Sequence, residues 1–538
     1  MAPVSGCILG QPESGGDDFP QVARAVSAWR TPAFHAVSRI LFPSVGSVLA
    51  ALSVCIGMAW AVTGCTMAPK YSRPAPPVST NWPDGAAYAR VQVVPGAAVT
   101  PEVDWREFFV DRKLQQLIEL ALRNNRDLRL AVLNTEMARA MYGVQRAELF
   151  PSAYASANGQ RQRASAQLPR MPNQPRTTER YDVGLGLAAW EVDLFGRIRS
   201  LKDAALQEYL ASEHARRGAQ LALMASVAQA YLALAADREA LALAQRTYEA
   251  QKAAFELVQR QFAAGLVTEL ELRQAQIPVE TAAREVARYT QLVATDENAL
   301  GLLVGTQVPR ELLPSDLGSV EPPPDVAAGL PSEVLLRRPD VLQAEAMLKA
   351  AYANIGAARA AFFPRISLTA AFGTASRELS DLFAQGSGTW NYGAQALMPI
   401  FDARTWSGLK VSKVQQKLAL TNYERTIQNA FREVADALAV RGTIDQQAEA
   451  QQSLVNALTE TYRLAQARFE RGLDSYLTVL DAQRALFAAQ QALVSLRLAQ
   501  LSSRIQLYAA LGGGWLPDQE QEFRATAAVG HTYTRPQN

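Results

Sequence analysis

Enzymatic chemistry needs a nucleophile, a general acid or base, or a metal, and this 538-residue chain holds few side chains that could supply one. It has three histidines, His35, His214 and His531, and three cysteines, Cys7, Cys55 and Cys65. Both sets are scattered too widely for metal-ligand spacing or a histidine-based triad. His214 falls in a long run of helix formers and is predicted to be an exposed helix residue. Gly512, Gly513 and Gly514 precede Trp515 but lack the Lys and Ser or Thr of a phosphate loop, so they are predicted to end the last helix. Carboxylates are abundant, yet they sit at helical surface spacings and no pair stands apart as acid and base. No cofactor and no catalytic reaction are expected. The formal net charge of +2 gives no basis for binding nucleic acid.

One thiol has a chemical context. Arg24, Arg30 and Arg39 precede an apolar stretch from Val45 to Val62, which closes on Val62, Thr63, Gly64 and Cys65; this is the order of a secretion signal. The tetrad resembles the lipobox of bacterial lipoproteins, in which the cysteine receives a thioether-linked diacylglycerol and becomes the mature N-terminus. Residues 1–64 are then signal and extension, and Cys65 is the lipidation site. Thr66 follows where an Asp would resemble an inner-membrane retention signal, which leaves the outer membrane open. Cys7 and Cys55 would leave with the signal, so no disulfide can form within one mature chain.

The elements that position everything else are written twice. Arg146, Phe150 and Pro151 recur as Arg359, Phe363 and Pro364, and Asp127 as Asp340, at an offset of 213. Phe262, Gly265, Leu270, Gln276, Leu300 and Gly305 recur as Phe469, Gly472, Leu477, Gln483, Leu507 and Gly512, at an offset of 207. The drop of six, taken from those two offsets, places a shorter connection between Pro364 and Phe469. The organisation is therefore a lipidated tether over 65–104, rich in proline, a first repeat over 105–318, a second over 319–515 and a tail over 516–538.

Each half has the same layout. Helices are predicted from Asp127 to Glu148 and from Asp340 to Ala361, each stopped by the following proline. Strands follow. Tyr181, Val183, Leu185, Leu187 and Ala189 alternate with small or polar residues, as do Ile366, Leu368, Ala370 and Phe372, then Trp390, Tyr392, Ala394, Ala396 and Met398. A fourth strand near Tyr154 to Arg163 has poor alternation. Asp381, Asn391 and the residues from Ala164 to Thr178 are expected in or near outward loops. Long rods then run from about Arg197 to Ala264 and from Ala403 to Arg471, each roughly 100 Å at about 1.5 Å per residue. Leu454, Leu458, Tyr462, Ala465 and Phe469, and Val414, Leu418, Ile427, Phe431, Val434 and Leu438, are spaced as a packing seam. Gly265 and Gly472 suit the left-handed position after a helix end. Returning helices start at once, with Thr268 and Glu271 as a capping box and Asp474 or Ser475 as the second cap. Pro278 should kink the first returning helix.

Past residue 65 no uninterrupted apolar run approaches the roughly 18 to 20 residues of a membrane-spanning helix, so any crossing must use strands. Alternating strands of about ten residues that end in Trp or Tyr fit a barrel wall between lipid and water. Two hairpins supply four strands, while unpaired backbone in hydrocarbon costs several kcal/mol per group and closed barrels begin at about eight strands. Chains must pool their strands.

Several segments resemble the TolC and OprM group of outer-membrane factors, in the lipoprotein branch that serves resistance-nodulation-division pumps. They are GCTMAPKYSRP, WREFFVDRKLQQLIELALRNNRDLRLA, AAWEVDLFGRIRS, RFERGLDSYLTVLDAQRALFAAQQAL and YAALGGGW, in family order over about residues 65 to 515. The resemblance implies a mainly α fold with a small β part. Long antiparallel α-hairpins form an α-barrel, and four strands join a twelve-stranded trimeric transmembrane β-barrel. It implies an exit duct of a tripartite efflux pump for small toxic molecules, with a periplasmic adaptor and an inner-membrane proton-driven pump as partners. Leu477 and Asp481 match the apolar and acidic rings that narrow the periplasmic entrance. Three Asp481 carboxylates there would repel one another and attract cations, a poor permanent plug that suits a gate opened by a partner. Thr478 stands where TolC has a second acid, so the closed state is expected to rest more on Leu477. Gln274 occupies the position of Asp481 in the first repeat. Gly265 and Gly472 match the tips that meet the adaptor.

Two other functions fit parts of the pattern. An exit duct of a type I protein secretion system would share the architecture, and a non-conducting lipoprotein bridging outer membrane and cell wall would share the rods but no pore.

Overall fold

The computed structural model describes residues 66–88, 103–165, 167, 175–326 and 334–513. Cys65, Gly514, Trp515 and the tail from 516 lie outside them, as does most of the stretch between Ala164 and Pro175.

The first repeat opens with a short helix α1 (Trp105–Phe108), α2 (Arg112–Asn124) and α3 (Arg126–Ala147). Strands β1 (Ala153–Arg163) and β2 (Thr177–Val192) follow, then the rod α4 (Arg197–Ala263) and its returning partner α5 (Glu269–Val304). The second repeat runs α6 (Pro339–Ala360), β3 (Arg365–Ser376), β4 (Gly388–Leu397), α7 (Ala403–Glu470) and α8 (Tyr476–Ala510). The rods have 67 and 68 residues, about 100 Å each. Strand β2 has 16 residues and β4 has 10, so most of the drop in repeat offset falls in the second strand of the hairpin. The weakly patterned first strand is present. Asn391, expected near a loop, lies inside β4 opposite Ala371.

The strands form one antiparallel sheet in the order β1-β2-β3-β4. Its register separates two faces. Leu185, Phe372 and Trp390 form one cross-strand row, and Leu187, Ala370 and Tyr392 form the next. The opposite face carries Tyr154, Ser156, Asn158 and Gln160 on β1, Asp182, Gly184 and Gly186 on β2, and Thr369, Ala371 and Gly393 on β3 and β4. From Tyr181 to Val192 the apolar side of β2 spans roughly 35 Å along the strand at about 3.3 Å per residue, enough for an apolar band of about 25 Å in a tilted strand. Among the described residues nothing pairs with the outer edges of β1 and β4.

The core lies where the two repeats meet. Tyr508 of α8 stacks on Phe108 at 4.0 Å between ring centroids and donates to the Val103 carbonyl at 3.2 Å. One described helix, α4, is long and apolar enough to cross a membrane, and most of its apolar stretch is buried in the protein; Val227, Tyr231, Leu232 and Leu234 belong to the core. The seam along the rods is partly realised. Ile427, Val434 and Leu438 are buried, and Leu458, Tyr462, Ala465 and Phe469 pack between α7 and α8. Leu454, Val414 and Leu418 are exposed instead: they lie on faces of α7 that no other described residue covers. His214 is half-buried rather than exposed, and burial pushes its imidazole pKa down.

The tether folds back along the second repeat. Tyr71 Oη donates to Glu345 Oε1 at 3.0 Å, Arg73 bonds both Glu345 oxygens at 3.1 and 2.8 Å, and Lys349 lies 3.0 Å away. Arg359 donates to the Met67 carbonyl, and Thr66 Oγ1 lies 3.3 Å from Ser200 Oγ. Gly356 permits this approach, since a Cβ there would stand 2.7 Å from Ala68 N.

Candidate periplasmic gate and hairpin tips

Both rods end in the same turn. Gly265 and Gly472 have φ of +71° and +73°. Leu266 N donates to Gln261 O and Gly265 N to Phe262 O; Leu473 N donates to Arg468 O and Gly472 N to Phe469 O. This six-to-one and five-to-two pair satisfies carbonyls that a helix end leaves orphaned. The leucine after each glycine is exposed, Leu266 at 75% and Leu473 at 62%, so each tip presents apolar surface to solvent.

The turns differ in how the next helix starts. Thr268 accepts from Glu271 N, and Glu271 accepts from Thr268 N at 2.7 Å, the expected capping box. Neither expected cap forms in the second tip: Ser475 occupies the cap position without a side-chain bond, and Asp474 is held by Arg468 at 2.6 and 3.0 Å. That bidentate pair joins the end of α7 to the turn. It holds the Asp474 carboxyl below its ordinary range. Pro278 lies buried inside α5, which continues through it.

On α8, Val479 and Ala482 pack with Ala465, Tyr462, Phe469 and Tyr476. Leu477 and Asp481, four residues apart, share the opposite stripe. Both are exposed, and Asp481 pairs with Arg484 at 3.5 Å. The matching Gln274 on α5 is half-buried. The apolar residue and the acid thus stand together on a face directed away from the chain's own packing, in the second repeat alone. The Arg484 neighbour was not singled out in the sequence; the three-residue spacing from Asp481 is the signal that carries it. Among the described residues no group of three or more His, Cys, Asp or Glu side chains could hold a metal.

A family model described as "Outer membrane efflux protein" matches residues 117–306 and 330–513. Over 459 residues the sequence is 48% identical to the toluene efflux pump outer membrane protein TtgC of Pseudomonas putida, covering 85% of this chain and 94% of the relative. Among solved structures, a membrane protein from Pseudomonas aeruginosa has a TM-score of 0.78 at 43% identity, covering 84% of this chain and 98% of that one. The open state of the Neisseria gonorrhoeae MtrE outer membrane channel has a TM-score of 0.76 at 37% identity, covering 84% and 98%.

Proposed function

The chain belongs to the outer membrane efflux protein family, and from that premise we propose that it works as a lipid-anchored homotrimer forming the exit duct of a tripartite pump. It is an outer-membrane efflux channel and not an enzyme. The observation that carries the assembly is the open sheet: four strands, one apolar face and, among the described residues, two unpaired edges. In hydrocarbon those edges must be paired, and three copies supply twelve strands. Two further surfaces support the same assembly. Leu130, Leu133, Met137, Met141 and Val144 make an exposed stripe along α3. Ser407, Lys410, Val411, Val414, Gln415 and Leu418 line a shallow cleft of about 430 Å³ on α7.

The anchor is the acyl group expected on Cys65. Its support is that Thr66, the next residue, sits beside Ser200 near the start of α4, while Met67 is bonded to Arg359 just before β3. The tether thus begins at the junction of helices and sheet. Leu477 and Asp481 serve as the periplasmic gate. The tips at Gly265 and Gly472, with Leu266 and Leu473, meet a periplasmic adaptor that links the duct to an inner-membrane proton-driven pump. Small toxic molecules such as solvents and drugs are the cargo, in keeping with the toluene efflux relative. Purified Asp481→Ala protein in planar bilayers should conduct ions more than the parent. Zero conductance in both would sink the duct and favour a non-conducting scaffold.

A further inference from the structure

At the end of the sheet farthest from the helices, one face matches its charges and the other does not. Helix α3 leads into β1 at Ala153 and α4 follows β2 after Val192, so Arg163, Thr177 and Ser376 mark the far end. On the face that carries Leu185, Phe372 and Trp390, Arg161 of β1 stands directly opposite Glu179 of β2 and pairs with it at 2.9 Å. On the other face, the antiparallel register that sets Tyr181 against Ser376 brings Arg180 of β2 opposite Arg377, one residue past the end of β3. Like charges placed across two strands destabilise a sheet. Folding alone gives no reason for this pair.

The two arginines border a shallow cleft of about 530 Å³, together with Gln160, Gln162 and Thr178. Two guanidinium groups, two amides and a hydroxyl all have protons to donate. The acids nearby are taken. Glu179, which also borders the cleft, is held by Arg161 and accepts from Tyr181 Oη at 3.2 Å. Asp182, the next residue of β2 on the same face as Arg180, accepts from Asn158 at 3.0 Å and pairs with Arg180 at 3.4 Å. Among the described residues the Arg377 guanidinium has neither ion pair nor hydrogen bond, and Glu378 beside it makes no ion pair. One positive charge per chain is therefore left over on the face opposite the apolar rows.

We propose that Arg180 and Arg377, helped by the Gln160 and Gln162 amides, bind an oxyanion on the lumenal face of the outer mouth: the phosphate, sulfate or carboxylate group of a water-borne solute. This rests on the reading of the chain as a trimeric duct, in which the apolar rows meet lipid and three such clefts ring the exit. A lipid headgroup belongs to the other face, so the occupant is a solute in the lumen. Guanidinium groups match oxyanions in shape as well as charge, and an anion between the two arginines offsets their repulsion. The exit then attracts anions while Asp481 at the entrance attracts cations. The two mouths sort charged solutes in opposite senses.

Calorimetric titration of the full-length protein in detergent with tripolyphosphate, at constant ionic strength, tests the site. Arg180→Gln and Arg377→Gln should each bind roughly tenfold more weakly than the parent. Arg163→Gln removes the same charge at the same end from the lipid-side face, and should bind as the parent does. Without the anion Arg377→Gln should melt no lower than the parent, because it relieves a like-charge pair; with it, the parent and Arg163→Gln should gain the most. In planar bilayers tripolyphosphate should lower the parent's conductance from one side only, and Arg377→Gln should lose that block. No binding to the parent, binding unchanged in Arg377→Gln, or an equal loss in Arg163→Gln overturns the site. A protein that binds the anion as expected yet conducts no ions keeps the site and sinks the duct, so the two readings fail separately.

Discussion

The two repeats share a backbone plan but not its fastenings. In the first, Asn125 caps α3 and its Nδ2 donates to the Leu303 carbonyl at 2.9 Å, tying the start of one helix to the end of α5. In the second, the matching contact is Arg338 to the Ala510 carbonyl, with further bonds to Asp340 and to Glu433 at 2.7 Å. The positions correspond, since Asn125 and Arg338 are 213 apart and Leu303 and Ala510 are 207 apart. An uncharged amide thus does in one half what a buried guanidinium does in the other. The same split recurs at the tips, where a capping box faces an Arg468–Asp474 pair, and at Gln274 against Asp481. Duplication keeps the geometry and frees the chemistry to diverge.

Removing the fastenings should show the largest inequality. Arg338→Ala is expected to cost about 3 kcal/mol, the low end for breaking a buried charge network, because Asp340 and Glu433 are 44% and 46% exposed and rehydrate. Asn125→Ala should cost about 2 kcal/mol from a lost cap and one hydrogen bond. Thermal melts of the detergent-solubilised protein decide; equal losses would mean that the charge adds nothing.

The tether's charged fastening is to the second repeat, through Glu345. Burial alone would raise its carboxyl pKa, but hydrogen bonds from Arg73, Lys349 and Tyr71 outweigh it and hold the group below its ordinary 4.5. A depressed pKa gives stability that is present above the unfolded value and lost as pH falls through the folded one. The strap should therefore hold at neutral pH and release only in acid, below the ordinary carboxylate range, and Glu345→Gln should be weak at all pH. Protease access to residues 66–88 reads this out, and acid resistance in the parent would break the contrast.

Making the gate positions alike sharpens the comparison further. Gln274→Asp should raise cation selectivity in single-channel recordings and Asp481→Gln should lower it, the second by more because Asp481 is the more exposed. The smallest effect belongs to the tips. Gly265→Ala and Gly472→Ala meet no atoms within 4 Å, so only the positive φ opposes them, at about 1 kcal/mol each. Equal losses in melting are expected.

Local rules made much of this legible. Prolines ended α3 and α6, glycines ended the rods, and alternation marked three strands. Strand β1 was faint because its apolar face is mostly Ala and Gly, with Ala153, Ala155, Ala157 and Gly159 opposite the larger side chains of β2. Leu454, Val414 and Leu418 were misplaced because periodicity marks an apolar stripe without saying whether the same chain covers it. The Arg338 and Asn125 fastenings reach across more than 170 residues, and no local pattern reports such meetings. Ser475 looked like a cap by type, but Arg468 and Asp474 already tie that turn together.

Native mass spectrometry of the mature protein in detergent weighs most directly on the claim that one sheet must borrow its neighbours' edges. The expected species is three chains, each heavier than its polypeptide by one lipid modification. A stable single chain would contradict the assembly and the barrel built from it.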